Sequence, residues 1–224
     1  MSIYNVTNLF NILKKNCAKD WYAYTRHKFL FTLANGTLPL KSFKKYLIQD
    51  YFFLIKFIKI LALGCVKSEN NHDLMRCVEF ILAIKNELRL HVLYCKKWKI
   101  SEKELLKKPE LIETKNYTNY VMQVGNKGDM LDLFTALSPC IIGYGEIGYH
   151  LKKKKFNKNP YNSWIDTYAS RDYQNVAKEN ILYLDRLFKK SKNKKTKLSK
   201  LKKIFKKATQ LESDFWSMSL KDCI

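Results

Sequence analysis

Glycine and proline are scarce in this chain, with 7 glycines and 4 prolines among 224 residues. An all-β protein needs many tight turns, and these two residues supply most of them. Their scarcity argues against an all-β fold. Hydrophobic residues make up 46% of the chain and aromatic residues 14%, which is enough for a core and excludes a disordered chain. We expect an all-α fold in one domain that spans residues 1–224.

The sequence also lacks cysteine motifs. Its six cysteines include no CxxC pair, and no Cys/His spacing suits a zinc site. They are expected to be reduced thiols. The N-terminus has no apolar run of the kind found in signal peptides, and lysines interrupt the apolar segments, so no membrane-spanning helix is expected. These features favour a cytoplasmic location. The cysteines stand at Cys17, Cys65, Cys77, Cys95, Cys140 and Cys223.

Acidic residues are few, with 20 Asp and Glu against 42 Lys and Arg and a formal net charge of +22. A domain this basic can bind nucleic acid. The excess is nearly all lysine, however, with few arginines that could fork onto guanine or phosphate. Much of it lies in residues 152–155 and 189–207. We favour the compositional drift of an AT-rich genome over nucleic-acid binding, and helical apolar spacing within 189–207 predicts an amphipathic helix.

Helical periodicity recurs along the whole chain. It predicts one or two helices over residues 3–34, then helices over 40–67 and 71–97. Ser42 or a neighbour is expected to cap the helix over 40–67. A helix that follows Thr114 is expected to end at Gly125. Glu87 and His91 could share a metal, but the paired motifs of di-iron bundles are absent, so we expect no metal.

One cysteine follows a proline inside the helical stretch LSPCIIGYGEIGYHL, which is expected to start near Asp129. Pro139 cannot donate to the carbonyl four residues back, so the helix should kink or restart there. If it restarts, Ser138 can cap it, and Cys140 then lies where helix-end amides favour a thiolate. Cys140 shares a face with Tyr144. The alternative interpretation is that Cys140 is a small core residue.

Two carboxylates stand among aromatic residues on distant helices. Asp50 lies on a stripe with aromatic neighbours such as Phe53, and burying a carboxylate without partners costs several kcal/mol. Either a buried Arg or Tyr pairs with Asp50, or a ligand with adjacent N–H donors does. Glu212 lies one turn before Trp216. Alternatively, Glu212 lies at the edge of an apolar face, with its carboxylate in water.

Five spaced motifs together are more specific than any one of these signals. The stretch NGTLPLKSFKKYLIQDYFFLIKF, followed by YTNYVM, LSPCIIGYGEIG, NPYNSWIDTY and ESDFW, resembles TenA, the thiaminase II family. The resemblance covers nearly the whole chain in the same order. It implies an all-α, haem-oxygenase-like multi-helix bundle of TenA type, commonly assembled as a homotetramer, that needs no haem, metal or other cofactor.

The resemblance also implies an activity in thiamin salvage. The family hydrolyses the bond at the methylene on C5 of a 4-amino-2-methylpyrimidine, releasing the hydroxymethyl pyrimidine from its aminomethyl precursor or from thiamin. By motif position Cys140 is the nucleophile, Glu212 protonates a ring nitrogen, and Tyr168 assists the thiol. The substrate-binding positions are Asp50, Phe53, Tyr117 and Tyr144.

One position departs from the family pattern, because Phe53 stands where many members have a tyrosine. The ring surface is kept and a hydroxyl is lost, which puts a typical substrate preference in doubt. The aminomethyl pyrimidine, its formyl derivative and thiamin all stay open as substrates. The alternative function is a non-catalytic TenA-like protein that binds a pyrimidine or a partner, and a basic nucleic-acid-binding protein is less favoured.

Overall fold

The computed structural model describes residues 8–97, 107–153 and 158–221, with the backbone alone at 90, 91, 93, 94, 96 and 97. Within these ranges the regular secondary structure is helical, which confirms the all-α class. The helices are α1 (Leu9–Asn16), α2 (Ala18–Thr25), α3 (Lys28–Ala34), α4 (Leu40–Lys67), α5 (Asn71–Lys97), α6 (Ile112–Lys127), α7 (Met130–Lys152), α8 (Asn162–Ala169), α9 (Arg171–Lys190) and α10 (Lys194–Leu220).

The N-terminal region holds three short helices where one or two were predicted. No glycine or proline marks the breaks, so the apolar spacing looks continuous. The chain leaves helical geometry at Cys17 and at Arg26, each with φ −124°. Side chains then cap the helix starts. Asn8 accepts from the amide of Asn11 at 2.8 Å, and His27 Nδ1 accepts from the amide of Phe29 at 3.2 Å.

Two predicted helix boundaries were wrong, the cap at the start of α4 and the last residue of α6. Helix α4 starts directly after Pro39 with no side-chain cap, and Ser42 is buried inside the helix. Helix α6 runs on through Gly125 and ends at Lys127, with Gly128 as its C-cap. Gly125 serves packing, because a Cβ there would lie 3.0 Å from side-chain carbons of Leu133 and of Leu63. The helix accepts this glycine at a cost of about 1 kcal/mol relative to alanine.

The described residues form two compact units. The first unit joins the chain up to Leu38 with Phe134–Ser217, and the second joins Pro39–Leu133 with the chain from Met218 on. The single domain predicted over residues 1–224 stays a prediction.

Stacked aromatic rings form the core of the first unit. The ring of Trp21 stacks on Phe205 with centroids 5.5 Å apart. Trp216 stacks on Phe29 at 4.8 Å and on Tyr24 at 6.4 Å. All five residues are buried. Each large ring removes roughly 150–250 Å² from water, so this cluster is a major source of the unit's stability.

The second unit is organised around α4, which packs against both α5 and α6. A buried glutamine fixes the chain that leads into α6. Gln49 Nε2 donates to the carbonyl of Pro109 at 2.9 Å, while its Oε1 accepts from the Leu111 amide and the Thr114 hydroxyl, each at 2.9 Å. Both the oxygen and the nitrogen of the Gln49 side-chain amide are therefore hydrogen-bonded to residues 109–114. These bonds hold that segment on α4.

The lysine-rich segment folds as predicted. Its apolar residues form the buried side of α10, including Leu201, Phe205 and Ala208, while Lys200 and Lys203 are exposed. This arrangement confirms an amphipathic helix beneath the charge.

One helix contradicts the statement that lysines interrupt the apolar segments. Among the described helices, α7 is long and apolar enough to cross a membrane by length and composition. Lysines do not interrupt it, since its first lysine is Lys152. Its most apolar window is 89% buried inside the protein, as expected of a core helix.

The side chain of His27 makes the start of α3 sensitive to pH. Its Nδ1 accepts from the Phe29 amide, and its Nε2 lies 3.1 Å from Ser217 Oγ. The neutral tautomer with hydrogen on Nε2 satisfies both contacts. Burial lowers the pKa of His27 from its ordinary value of 6.5, so its contribution to stability is present above pH 6.5 and is lost as the pH falls through the lowered pKa.

We predict that between pH 7.5 and pH 5 the wild type loses about 1 kcal/mol of stability relative to a His27→Asn variant, because asparagine caps a helix without titrating. Urea unfolding at both pH values measures this difference. The other histidines are the same in both proteins and cancel. Identical pH slopes would contradict the role assigned to His27.

Candidate active site

Helix α7 carries the proline and the cysteine, and its start is fixed by reciprocal capping. Asp129 accepts from the amide of Asp132 at 3.0 Å, and the side chain of Asp132 accepts from the amide of Asp129 at 3.1 Å. The helix continues through Pro139 without a restart. Of the two predicted outcomes at Pro139, a kink or a restart, the helix does not show the restart, and the hydroxyl of Ser138 donates instead to the carbonyl of Phe134 at 2.6 Å.

Cys140 is set apart from its neighbours by exposure. Every residue from Leu131 to Gly148 is buried except Cys140, which is half-exposed. The sulfur-bearing residue is thus accessible within a stretch of helix that is otherwise closed to solvent. Since the helix does not restart, activation by helix-end amides is not available at this position, and Cys140 is not a fully buried core residue.

The other described cysteines divide by burial. Burial raises the pKa of Cys17 to about 11, of Cys77 to about 12 and of Cys95 to about 11. These thiols remain protonated at neutral pH, and a thiol is a weak nucleophile. Cys65, like Cys140, is half-exposed, while Cys223 lies outside the described residues. Exposure alone therefore leaves Cys65 and Cys140 as accessible thiols.

Two predicted site tyrosines meet in the first unit. The rings of Tyr144 and Tyr168 lie 4.9 Å apart, nearly edge to face. Trp164 lies 4.6 Å from Tyr168, and Trp216 lies 5.4 Å from Tyr144. Because Tyr144 follows Cys140 by four residues on one helix, the cluster lies one turn along the same face as the thiol.

Close backbone approach brings Tyr168 to this cluster. A Cβ at Gly148 would lie 2.4 Å from the backbone carbon of Tyr168, so only glycine lets α7 pack here against the end of α8. Gln174 strengthens the contact, since its Nε2 donates to the carbonyls of Gly145 and Tyr168 at 2.8 and 2.9 Å. The aromatic cluster thus depends on Gly148 as much as on its tyrosines, because Gly148 lets the two helices approach.

Glu212 belongs to the same unit, on α10. It is 1% exposed, one turn before the buried Trp216. The alternative interpretation, with the carboxylate in water at the edge of a face, was therefore wrong. A carboxylate buried this deeply among apolar residues needs hydrogen bonds or a proton.

The remaining predicted residues lie in the second unit. Asp50 is buried, and the hydroxyl of Tyr46 donates to its Oδ2 at 3.4 Å, the long end of hydrogen-bond range. The tyrosine partner that the structural interpretation required is thus present. Phe53 lies one turn from Asp50, and its ring lies 4.9 Å from that of Tyr117. Asp50 therefore shares its face of α4 with Phe53, whose ring packs against Tyr117 of α6.

Sequence reasoning missed Tyr24. Its hydroxyl donates to the carbonyl of Pro139 at 3.1 Å, directly before Cys140. A Cβ at Gly143 would lie 2.5 Å from the Tyr24 ring. The signal in the sequence was Gly143 itself, because a glycine inside a helix is unfavourable and suggests that another group approaches closely.

Glu146 was missed as well. It is buried on α7, where Lys14 Nζ lies 2.6 Å from its Oε2 and Trp21 Nε1 donates to its Oε1 at 3.2 Å. Both partners come from the N-terminal helices. The ion pair with Lys14 and the hydrogen bond from the Trp21 indole stabilise the buried carboxylate of Glu146. They also attach α1 and α2 to α7.

Comparison with known proteins identifies the family to which these features belong. The TENA/THI-4/PQQC family model matches residues 15–222. A protein named aminopyrimidine aminohydrolase from Halalkalibacterium halodurans is 33% identical over 205 residues, covering 90% of this chain and 91% of that protein. One of the same name from Helicobacter pylori is 33% identical over 213 residues, covering 92% and 96%.

The fold matches solved structures equally well. A crystal structure from Silicibacter, described as a TenA family transcription regulator, is 37% identical with a TM-score of 0.93, and the match covers 99% of this chain and all of that one. The multi-helix fold of TenA type is thereby confirmed, as is the resemblance that the five sequence motifs indicated.

We predict that Gly143→Ala destabilises the protein by about 1–3 kcal/mol, because the new methyl group overlaps the Tyr24 ring. This loss exceeds the gain of about 1 kcal/mol in helix propensity. Urea unfolding measures it. Tyr24→Phe is the matched comparison, since it keeps the ring, removes only the hydroxyl and should cost about 1 kcal/mol. A Gly143→Ala protein as stable as the wild type would contradict the close contact.

Proposed function

Because the chain belongs to the TENA/THI-4/PQQC family, we propose that it is a thiaminase II type aminopyrimidine aminohydrolase. The reaction would release 4-amino-5-hydroxymethyl-2-methylpyrimidine from the 5-aminomethyl pyrimidine, and from thiamin, in thiamin salvage. The two relatives named aminopyrimidine aminohydrolase support this, since each is matched over at least nine-tenths of both chains.

The observation that carries the proposal is the partial exposure of Cys140 within a stretch, Leu131 to Gly148, that is otherwise buried. A structural cysteine in such a helix would be buried with its neighbours. A protein that only bound a pyrimidine would not need a thiol there. The half-exposed Cys65 is the other accessible thiol among the described cysteines, and the proline-cysteine motif selects Cys140.

The mechanism follows from the electronics of the substrate. An aminopyrimidine is a poor electrophile until a ring nitrogen is protonated, and Glu212 would supply that proton. The Cys140 thiolate then adds to C6 of the ring, forming a C–S bond, with Tyr168 assisting the thiol. Loss of aromaticity lets the ring electrons expel ammonia or the thiazole from the C5 methylene. Water adds to that carbon, and the C–S bond breaks to restore the ring and the thiol.

The family resemblance assigns ring recognition to Asp50, Phe53, Tyr117 and Tyr144. Asp50 would accept hydrogen bonds from the 4-amino group and hold the ring in register. Phe53 and Tyr117, whose rings are already in contact, would offer apolar surface to the pyrimidine, and the resemblance assigns substrate binding to Tyr144 as well. With phenylalanine at position 53, this surface is kept without the hydroxyl of the family pattern. This difference bears on the choice among the aminomethyl pyrimidine, its formyl derivative and thiamin.

A second candidate function is a non-catalytic TenA-like protein that binds a pyrimidine or a partner. One observation favours it, since the Silicibacter relative is described as a transcription regulator. It leaves the accessible Cys140 unexplained, so we rank it below the hydrolase. The homotetramer and the cytoplasmic location stay predictions, and light scattering by the purified protein would settle the first.

We predict that Cys140→Ser lowers kcat for the aminomethyl pyrimidine by roughly a thousandfold or more, because the nucleophile is lost. The product pyrimidine should still bind, since the thiol is not needed for recognition. Product formation is followed by chromatography and binding by calorimetry. Cys65→Ser is the matched control, because it removes the other half-exposed thiol and should leave turnover unchanged.

Three results would overturn parts of this proposal. Near-normal turnover by the Cys140→Ser protein would remove Cys140 as the nucleophile. Equal losses in both serine variants would point to a general effect of thiol removal. If the wild type bound the pyrimidine without turning over either substrate, the binding function would replace the hydrolase.

We also predict that Asp50→Asn weakens binding of the product pyrimidine by about 10–100-fold, because hydrogen bonds to a charged acceptor are lost. The dissociation constant is measured by calorimetry. Asp214→Asn, at an exposed position of α10, controls for the change in net charge. An unchanged dissociation constant in the Asp50→Asn protein would show that Asp50 is structural and pairs only with groups such as Tyr46.

A further inference from the structure

A cavity lies in the second unit, and none of its lining residues is among those named for hydrolysis. It has a volume of about 680 Å³, within the size range of small-molecule sites. Its walls come from the first turns of α4, from the chain that leads into α6, and from the end of α10. The lining residues are Leu40, Lys41, Lys44, Lys45, Ile48, Gln49, Lys108, Pro109, Leu111 and Lys221.

The charge of this cavity has one sign. Five lysines from three parts of the chain line it, and its lining contains no acidic residue. Three of them lie in the first two turns of α4, a 28-residue helix whose first turn holds no acidic residue. Cations at a helix N-terminus oppose the helix dipole, and cations gathered around one cavity repel one another. A bound anion would relieve both effects.

Two of these lysines also act on a neighbouring acid, Glu113. Glu113 accepts a hydrogen bond from Lys221 Nζ at 2.6 Å. Partial burial acts to raise the pKa of Glu113, but the hydrogen bond from Lys221 and the charge of Lys45 lower it below its ordinary value of 4.5. The surroundings of the cavity therefore favour negative charge.

The floor between the lysines is apolar. It is formed by side chains that include Leu40, Ile48, Pro109 and Leu111. Leu40 is 46% exposed although it opens a helix. A hydrated inorganic anion gains nothing from such a floor, whereas an organic anion can cover it and remove it from water.

Hydrogen bonds hold the walls in place without a ligand. The buried Gln49 binds the carbonyl of Pro109 and the amide of Leu111, as described above. Lys45 Nζ donates to the carbonyl of Lys221 at 3.2 Å, which fixes the end of α10 beside the start of α4. Because the cavity is already formed, binding costs little reorganisation.

We propose that this cavity binds an organic phosphate monoester with an apolar or aromatic body. The phosphate dianion would lie among the lysine ammonium groups, which bind phosphate as point charges. The body would cover the floor between Leu40, Ile48 and Leu111. The site does not depend on the proposed hydrolase function, since it shares no residue with it.

The test uses phenyl phosphate as the probe, with inorganic phosphate and phenol as comparisons, in calorimetric titrations of the full-length protein. We expect phenyl phosphate to bind at least about 10-fold more tightly than inorganic phosphate because its ring covers the apolar floor. Phenol lacks the charge and should not bind measurably. The affinity for phenyl phosphate should fall as salt rises.

Variants locate the binding. Lys44→Gln combined with Lys108→Gln should weaken phenyl phosphate at least about 10-fold, whereas Lys178→Gln with Lys203→Gln, two exposed lysines of the first unit, should change it less than about twofold. Ile48→Ala should reduce the preference for phenyl phosphate over inorganic phosphate. Melting curves check that each variant is folded.

Several outcomes would overturn the proposal. Equal affinities for phenyl phosphate and inorganic phosphate would mean that the apolar floor is not used. Equal losses in the two double variants would mean that diffuse surface charge, and not this cavity, attracts the anion. No binding of phenyl phosphate at millimolar concentration would exclude the site.

Discussion

The burial of helix α7 is the constraint on which the rest of the site depends. A continuous run of its residues is closed to solvent on all sides, and the one half-exposed residue in that run is Cys140. The helix can be buried so completely because Gly143 and Gly148 admit the Tyr24 ring and the backbone of Tyr168. Close packing thus fixes the position of the thiol, since a packed helix can shift only if its neighbours shift as well.

Burial also sorts the ionisable groups by what they can do. The thiols of Cys17, Cys77 and Cys95 stay protonated and weakly nucleophilic at neutral pH because burial raises their pKa values. Buried carboxylates need partners, and Glu146 shows a structural solution with a lysine and an indole. Asp50 and Glu212 are buried as well, and the roles proposed for them are recognition and proton transfer. Burial therefore argues against three of the thiols as nucleophiles, but it does not separate Glu146 from the equally buried Asp50 and Glu212.

Helices were more predictable than their ends. Apolar spacing located α4 and α5 because burying one face gives a long helix most of its stability. The breaks among α1, α2 and α3 were missed because the chain leaves helical geometry at Cys17 and Arg26 without glycine or proline, and His27 alone caps a new start with its side chain. The end of α6 was misplaced because Gly125 serves helix packing, and a packing glycine looks the same in sequence as a C-cap.

The sequence by itself determined the all-α class, the amphipathic character of α10 and, through its spaced motifs, the family. These depend on local periodicity and on residue identity, which the chain carries directly. Only the tertiary structure decided that α7 passes through Pro139 unbroken, that Glu212 is buried and that Cys140 is accessible. Burial is a property of the surroundings of a residue, and those surroundings come from segments distant in the chain, such as Tyr24 beside Gly143.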